Sequence, residues 1–399
     1  MPTGDLPGLV QATFHVHHHP CLPELLFSPG RAWPHTPVRW CIRVFVDVAG
    51  CQPAHALRRA GSLAIWRPTL HVHRQLIRAR LAQSPPSKYH PPQSHEHWRS
   101  CLRILSIGGS GFVSGTLVKR ALEQGHHVQV VTRGQRPLKE GVQGITADRK
   151  DRGGFEEAIR QQEGYWDLVV DCIGYDPDDA TQDVTCFKDR AKQIVFISTD
   201  FVFDPAHRVF PQPEETEHYA TEGYGAKKRA CEQVLASADL GDTHWTVVRP
   251  CHIYGPSSKL GCLPHHGRDD EIINRIRGGK TLRLVGGGYF LQQPILARDL
   301  CDLILSCAGN TETYERIFCA AGPDIIESRT YYDEIARCLG VNPSPIEEVD
   351  VQAHLSEHPG AAPFTCHRVY SLDRLAASGA KAPSTSFSVG IQEHVESMI

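Results

Sequence analysis

Tyr224 and Lys228 stand four residues apart, a spacing that could carry proton chemistry. On a helix two such side chains project from one face, about one turn apart. A lysine ammonium beside a phenol favours the phenolate, which makes Tyr224 a proton donor or acceptor usable near neutral pH. The pair lies in Tyr224-Gly225-Ala226-Lys227-Lys228, about 25 residues after a strand-like run at 193–199. That run ends in Ser198 and Thr199, and either hydroxyl could hold a substrate oxygen beside the phenol. Tyr-x-x-x-Lys alone is common by chance. It gains meaning from what precedes it.

Upstream, the apolar residues 103–107 read as a buried strand. Gly108-Gly109-Ser110-Gly111-Phe112-Val113-Ser114-Gly115 follows. The glycines permit a tight turn and close approach of backbone to a pyrophosphate. A helix opening near Phe112 offers free N–H groups and a positive dipole end to the phosphates. Ser114 replaces the third glycine of a G-x-x-G-x-x-G spacing. Serine is small enough to keep the helix close to the strand.

These groups need a frame. Further apolar runs at 128–131, 142–146, 167–172, 193–198 and 244–249 read as strands, with helical patterns at 155–162 and 179–187 between them. Strands alternating with helices imply a parallel sheet covered on both faces, with ligands at the carboxyl ends of its strands. After residue 254 the character changes. Residues 256–268 are loop-like, 270–277 form a basic helix, and 284–288 look like a hairpin. Residues 298–307 form an amphipathic helix, 317–322 a strand and 328–339 a helix.

From residue 102 to about 395 the chain resembles the extended short-chain dehydrogenase/reductase superfamily, in its NAD-dependent epimerase/dehydratase group. The motifs are Gly108-Gly109-Ser110-Gly111-Phe112, Val131-Thr132-Arg133-Gly134, Ala147-Asp148-Arg149, Asp171-Cys172-Ile173-Gly174, Ile197-Ser198-Thr199-Asp200, Tyr224-x-x-x-Lys228 and Arg249-Pro250-Cys251-His252-Ile253-Tyr254-Gly255-Pro256. The resemblance implies an α/β fold: a Rossmann-like doubly wound parallel sheet with a smaller C-terminal substrate lobe; the composition of residues 1–100 adds a disordered N-terminal extension before it. Residues 101–253 would form the NAD(P)-binding domain. Residues 254–399 would form the substrate lobe, interleaved with late sheet strands.

It also implies roles. Gly108, Ser110, Gly111, Phe112 and Val113 would cradle the cofactor phosphates, and Cys172, Ile173 and Gly174 would line the cofactor through their backbones. Asp148 would contact adenine or cap a turn. Arg133 ends the second strand where NAD-preferring relatives carry an acid, which favours NADP over NAD. Thr199, Tyr224 and Lys228 would be the catalytic set, with Tyr224 and Lys228 also binding the cofactor, Lys228 at the nicotinamide ribose. Asp200, His252 and Arg298 would meet the substrate, a small molecule of nucleotide-sugar type. Phe201 stands where sugar dehydratases place a glutamate base, which argues against dehydration and for ketone reduction or epimerisation. The alternative is a non-catalytic nucleotide sensor, or an RNA-associated member of the superfamily. Homodimers are common in the family.

Composition narrows the partners. Residues 1–100 hold eleven of the 23 histidines, thirteen of the 28 prolines, and eleven Lys/Arg against four Asp/Glu. Their formal charge is +7, so residues 101–399 carry −10 of the net −3, a poor footprint for nucleic acid. The basic segment reads as a disordered leader rather than a targeting segment or a binding arm. His15-Val16-His17-His18-His19 and His71-Val72-His73 lack the cysteine spacing of a zinc site, and no metal is expected. Fourteen scattered cysteines without a C-x-x-C pair, and no apolar run of membrane length, point to a cytoplasmic protein with reduced thiols.

Overall fold

Strand β1 (Arg103–Ile107) sends Leu105 and Ile107 to one face of the central sheet and Ile104 to the other, each fully buried. The computed structural model describes residues 101–399. The expected extension at 1–100, with both histidine clusters, lies outside the described residues. Helix α1 (Phe112–Glu123), β2 (His127–Thr132), β3 (Val142–Thr146), α2 (Arg152–Arg160), β4 (Leu168–Asp171), α3 (Pro177–Phe187) and β5 (Gln193–Ile197) follow in alternation. Then come α4 (Gly223–Ser237) and β6 (His244–Pro250). Helix α3 begins earlier than its apolar pattern suggests. Asp176 caps it by accepting from Asp179 N at 3.2 Å, and Pro177 presets its first turn.

The sheet has seven strands, all parallel, in the order β11-β6-β5-β4-β1-β2-β3, where β11 is Arg316–Ala320. Strands buried on both faces are continuous apolar runs, which is why they were readable. Chain order reverses between β1 and β4, and the loops diverging there leave a crevice at the strand ends. One face packs Leu117 and Val118 of α1 against Leu300, Leu303 and Ile304 of a later helix; the other packs Phe155, Ile159 and Phe187. Full burial of each such side chain contributes roughly 1.5–3 kcal/mol.

After β6 the chain forms β7 (Ile253–Tyr254), α5 (Ile272–Arg277), β8 (Leu282–Val285), β9 (Leu291–Gln292), β10 (Ile295–Leu296) and α6 (Ala297–Ser306). It returns to the main sheet as β11, then forms β12 (Ile326–Glu327), α7 (Ser328–Cys338), β13 (Ile346–Val349), α8 (Val351–Glu357), α9 (Asp373–Ala377) and α10 (Phe387–Glu396). The expected hairpin at 284–288 is absent. Gly286–Gly288 is a 3-10 turn, and β8 pairs in parallel with the distant β13. A second core lies here, around Tyr254, Leu263, Ile276, Tyr331, Ile335 and Phe387. Among the described residues no helix is long and apolar enough to cross a membrane. No group of three His, Cys, Asp or Glu among them could hold a metal.

Candidate active site

The turn after β1 needs glycine for backbone reasons. Gly108 has φ +91°, and a Cβ on it would meet Ile173 Cγ2 at 3.0 Å. A side chain here would crowd Ile173 and strain the backbone. Ser114, in the third-glycine position, is buried, and its Oγ accepts from Gly111 N at 3.1 Å. Serine therefore fastens the loop as well as being small. Gly111 supplies no side-chain cap and the first turn of α1 holds no acid. An anion there would meet the N–H groups at Phe112 and Val113 and the positive helix end.

A cavity of about 430 Å³ opens beside this loop, lined by Gly108, Ser110, Gly111, Arg133, Asp148 and Ile173 among others. Arg133 is exposed at its rim. Asp148 is also exposed, and its Oδ1 accepts from Lys150 N at 3.0 Å, so it braces its own turn while facing the cavity. On the floor, Asp171 accepts from Ile173 N at 2.8 Å and from Arg149 at 2.7 Å. Burial disfavours the Asp171 carboxylate, but Arg149 outweighs that and holds it below the usual range. Burial and the neighbouring Asp171 charge push Asp183 well up. Burial also raises the Cys172 thiol to about 12, which does not suit a nucleophile. A glycine cradle at a helix start with cations at one end fits a dinucleotide.

Helix α4 carries Tyr224 in its first turn, half-exposed, and Lys228 one turn on, buried. Lys228 Nζ donates to Gly174 O at 2.6 Å and to Ile197 O, and lies 4.1 Å from the Phe196 ring centroid. It bolts α4 to the ends of β4 and β5. Burial lowers the Lys228 pKa. The expected phenolate-favouring effect is not found: burial pushes Tyr224 up to about 12, assisted by Tyr175 and Asp200, with Arg268 opposing. The reason is direction. The ammonium turns inward and is spent on two carbonyls.

The strand-end hydroxyls divide. Ser198 Oγ donates to Glu232 Oε1 at 2.6 Å and is thereby removed from any substrate role. Thr199 Oγ1 accepts from Phe201 N at 3.2 Å, capping the 3-10 turn Asp200–Val202. Asp200 does not face a substrate. It is buried, pairs with Arg368 Nε at 2.7 Å and accepts from the Tyr370 hydroxyl. Burial would raise its pKa, but Arg368 and Arg208 hold it below the usual range. Arg298 makes a two-pronged ion pair with Glu393, at 2.8 and 3.0 Å, and so straps α6 to α10. The His252 ring lies 5.5 Å from that of Tyr331. Burial, with Arg368 and Arg268 nearby, pushes His252 down to about 3, so it is neutral.

The model of the NAD dependent epimerase/dehydratase family matches residues 104–319, more than half of the chain. The chain belongs to that family. Among curated proteins, the chloroplast stem-loop binding protein of 41 kDa b of Arabidopsis thaliana is 24% identical over 62% of this chain and 65% of its own length. The 2'-dehydrokanamycin reductase of Streptomyces kanamyceticus is 29% identical over 34% of this chain and 38% of its own. The chain thus spans less than two thirds of either relative. Two solved structures share the fold: the UDP-glucose 4-epimerase of Thermotoga maritima with UDP-glucose, and that of Thermus thermophilus with NAD. The first has a TM-score of 0.61 and 17% identity, over 74% of this chain and 98% of its own. The second has a TM-score of 0.58 and 19% identity, over 74% and 99%.

Within this epimerase/dehydratase frame, three residues escaped the sequence reading. Arg136 Nη1 donates to Ser110 O at 3.2 Å, joining the loop after β2 to the glycine loop. Arg268 lies on a loop held by Asp269 N to Leu260 O at 2.9 Å. Its charge acts on Tyr175, Tyr224 and His252, from three different segments. Nothing in its local sequence marks it. Gly225 has a signal, since it adjoins Tyr224: a Cβ there would lie 1.8 Å from Phe201 O. That neighbour is backbone and cannot swing aside. Gly225→Ala is expected to push α4 off the end of β5. A misplacement of about 1 Å costs on the order of 100-fold in rate. Steady-state turnover beside NADPH affinity checks this, with turnover lost and affinity kept.

Proposed function

We propose that this chain is an NAD(P)-dependent oxidoreductase or epimerase acting at a hydroxyl or carbonyl carbon of a nucleotide-sugar-like substrate. The observation carrying this reading is Lys228, which ties the helix of Tyr224 to the ends of β4 and β5, beside the glycine-loop crevice. When bound, the nicotinamide supplies or accepts the hydride at the substrate carbon. Tyr224 gives the proton to the substrate oxygen in reduction and removes it in oxidation. As a phenol raised to about 12, it is a donor throughout the neutral range. Thr199 orients that oxygen. Lys228 holds the helix and offers its remaining N–H toward the nicotinamide ribose. Phe201, and an Asp200 already committed to Arg368, leave no second acid–base pair for dehydration.

The test is a coupled assay on the full chain with NADPH and NADH. A 4-keto sugar nucleotide should oxidise the nicotinamide, or UDP-glucose should interconvert with UDP-galactose. No redox change and no interconversion would count against the reading. For the cofactor we favour NADP. No acid directly follows β2, and Arg133 and Arg136 both line the cavity. Arg133→Ala is expected to weaken NADPH about tenfold, the scale of one charge-assisted contact, and to leave NADH unchanged. Parallel titrations check it. The Arabidopsis relative suggests RNA association as a second reading, against which the −10 charge of residues 101–399 weighs.

A further inference from the structure

We propose that Phe201 and Phe364 form an aromatic shelf beside Tyr224 that receives the apolar face of the substrate's reacting ring. This rests on the placement of Tyr224 at the reacting carbon. Phe201 sits on the turn that ends β5, next to Thr199 and Asp200. Its ring meets Tyr224 edge to face, with centroids 6.4 Å apart and planes at 82°. It meets Phe364 in the same way, at 4.9 Å and 86°. Phe364 ends the 3-10 turn Pro359–Phe364 of the C-terminal half, so the shelf joins two distant segments.

The shelf is rigid. The Arg368 guanidinium lies 5.2 Å from the Phe201 centroid, and Arg368 is fixed by buried Asp200. The Phe201 carbonyl packs on Gly225. Phe364 is 38% exposed and the adjoining Tyr224 45%, with Phe201 partly buried between them. Exposed rings beside a reactive phenol are the kind of surface a ligand covers. The polar side chains that could have bonded sugar hydroxyls here turn away: Ser198 to Glu232, Asp200 to Arg368 and Tyr370. With Thr199 assigned to the reacting oxygen, the rest of the recognition beside that carbon falls to ring faces. The C–H face of a hexose and an aryl ring share that chemistry.

Two probes separate these sources, each in a non-reacting complex of the full chain: UDP-glucose with NADPH, and acetophenone with NADP⁺. Affinities are read by saturation-transfer NMR. Phe201→Leu and Phe364→Leu keep apolar volume but lose the ring. Each is expected to weaken at least one probe about five- to tenfold, the scale of one aromatic contact, with NADPH affinity unchanged. Phe364→Trp restores binding. A loss confined to UDP-glucose assigns a sugar face, and one confined to acetophenone an aryl ring. Unchanged affinity in both variants, or no binding of either probe by the wild type, overturns the shelf. Failure of the underlying enzyme reading registers separately, as no NADPH or NADH binding or as full turnover in Tyr224→Phe.

Discussion

Tyr224→Phe is expected to lower turnover by about 10²–10⁴-fold, the usual weight of one general acid–base group, while NADPH affinity stays at the wild-type value. The variant removes a single oxygen from a half-exposed ring, so the fold is undisturbed. Its contacts with Phe201 need only the ring. The pH dependence has a definite sign. Burial raises the phenol to about 12, so the proton needed for reduction is present at every pH below that. Reductive turnover should stay flat through neutrality. Oxidative turnover needs the phenol to give up its own proton before it accepts one from substrate, and should rise with pH. Stopped-flow nicotinamide absorbance on wild type and variant reads both. A variant with wild-type turnover would remove Tyr224 from the chemistry.

The second large effect concerns stability. Glu232 and Arg249 are both essentially fully buried and pair at 2.7 and 2.9 Å. Ser198 and Arg229 complete the carboxylate's partners, and Arg249 also donates to Glu214 O at 2.6 Å. Glu232→Gln keeps the shape but leaves the Arg249 charge without its counter-ion. Breaking a buried pair this way costs roughly 3–5 kcal/mol. A lowered thermal midpoint is the expected result. Burial works against the Glu232 carboxylate, but Arg249 holds its pKa below the usual glutamate value. Its contribution is therefore complete above that usual value and disappears as pH falls through the folded one. The variant should lose the corresponding part of the acid limb of its stability profile. Urea titrations at neutral and acid pH measure both.

How much was legible follows from how local each cause is. The sheet was readable because strands buried on both faces carry uninterrupted apolar runs, as at 168–170 and 194–197. The glycine loop and the Tyr224–Lys228 spacing were readable because each is set within a few residues. The direction of Lys228 was not, since it depends on the carbonyls of Gly174 and Ile197, which follow or end two other strands. Asp200 looked available because its partner Arg368 lies 168 positions away. Arg298 looked available for the same reason, with Glu393 95 positions off. The false hairpin at 284–288 arose because three glycines resemble a tight turn, whereas the partner of β8 is the distant β13. Ser114 shows the reverse case. Its size was legible, and its hydrogen bond to Gly111 followed from the helix geometry that the loop begins.

The central claim is that the crevice between β1 and β4 holds a nicotinamide dinucleotide. The most direct measurement is calorimetric titration of the full chain with NADPH and then with NADH. Saturable binding of one nucleotide per chain, tighter for NADPH, is the predicted result. No saturable binding of either nucleotide would contradict the claim.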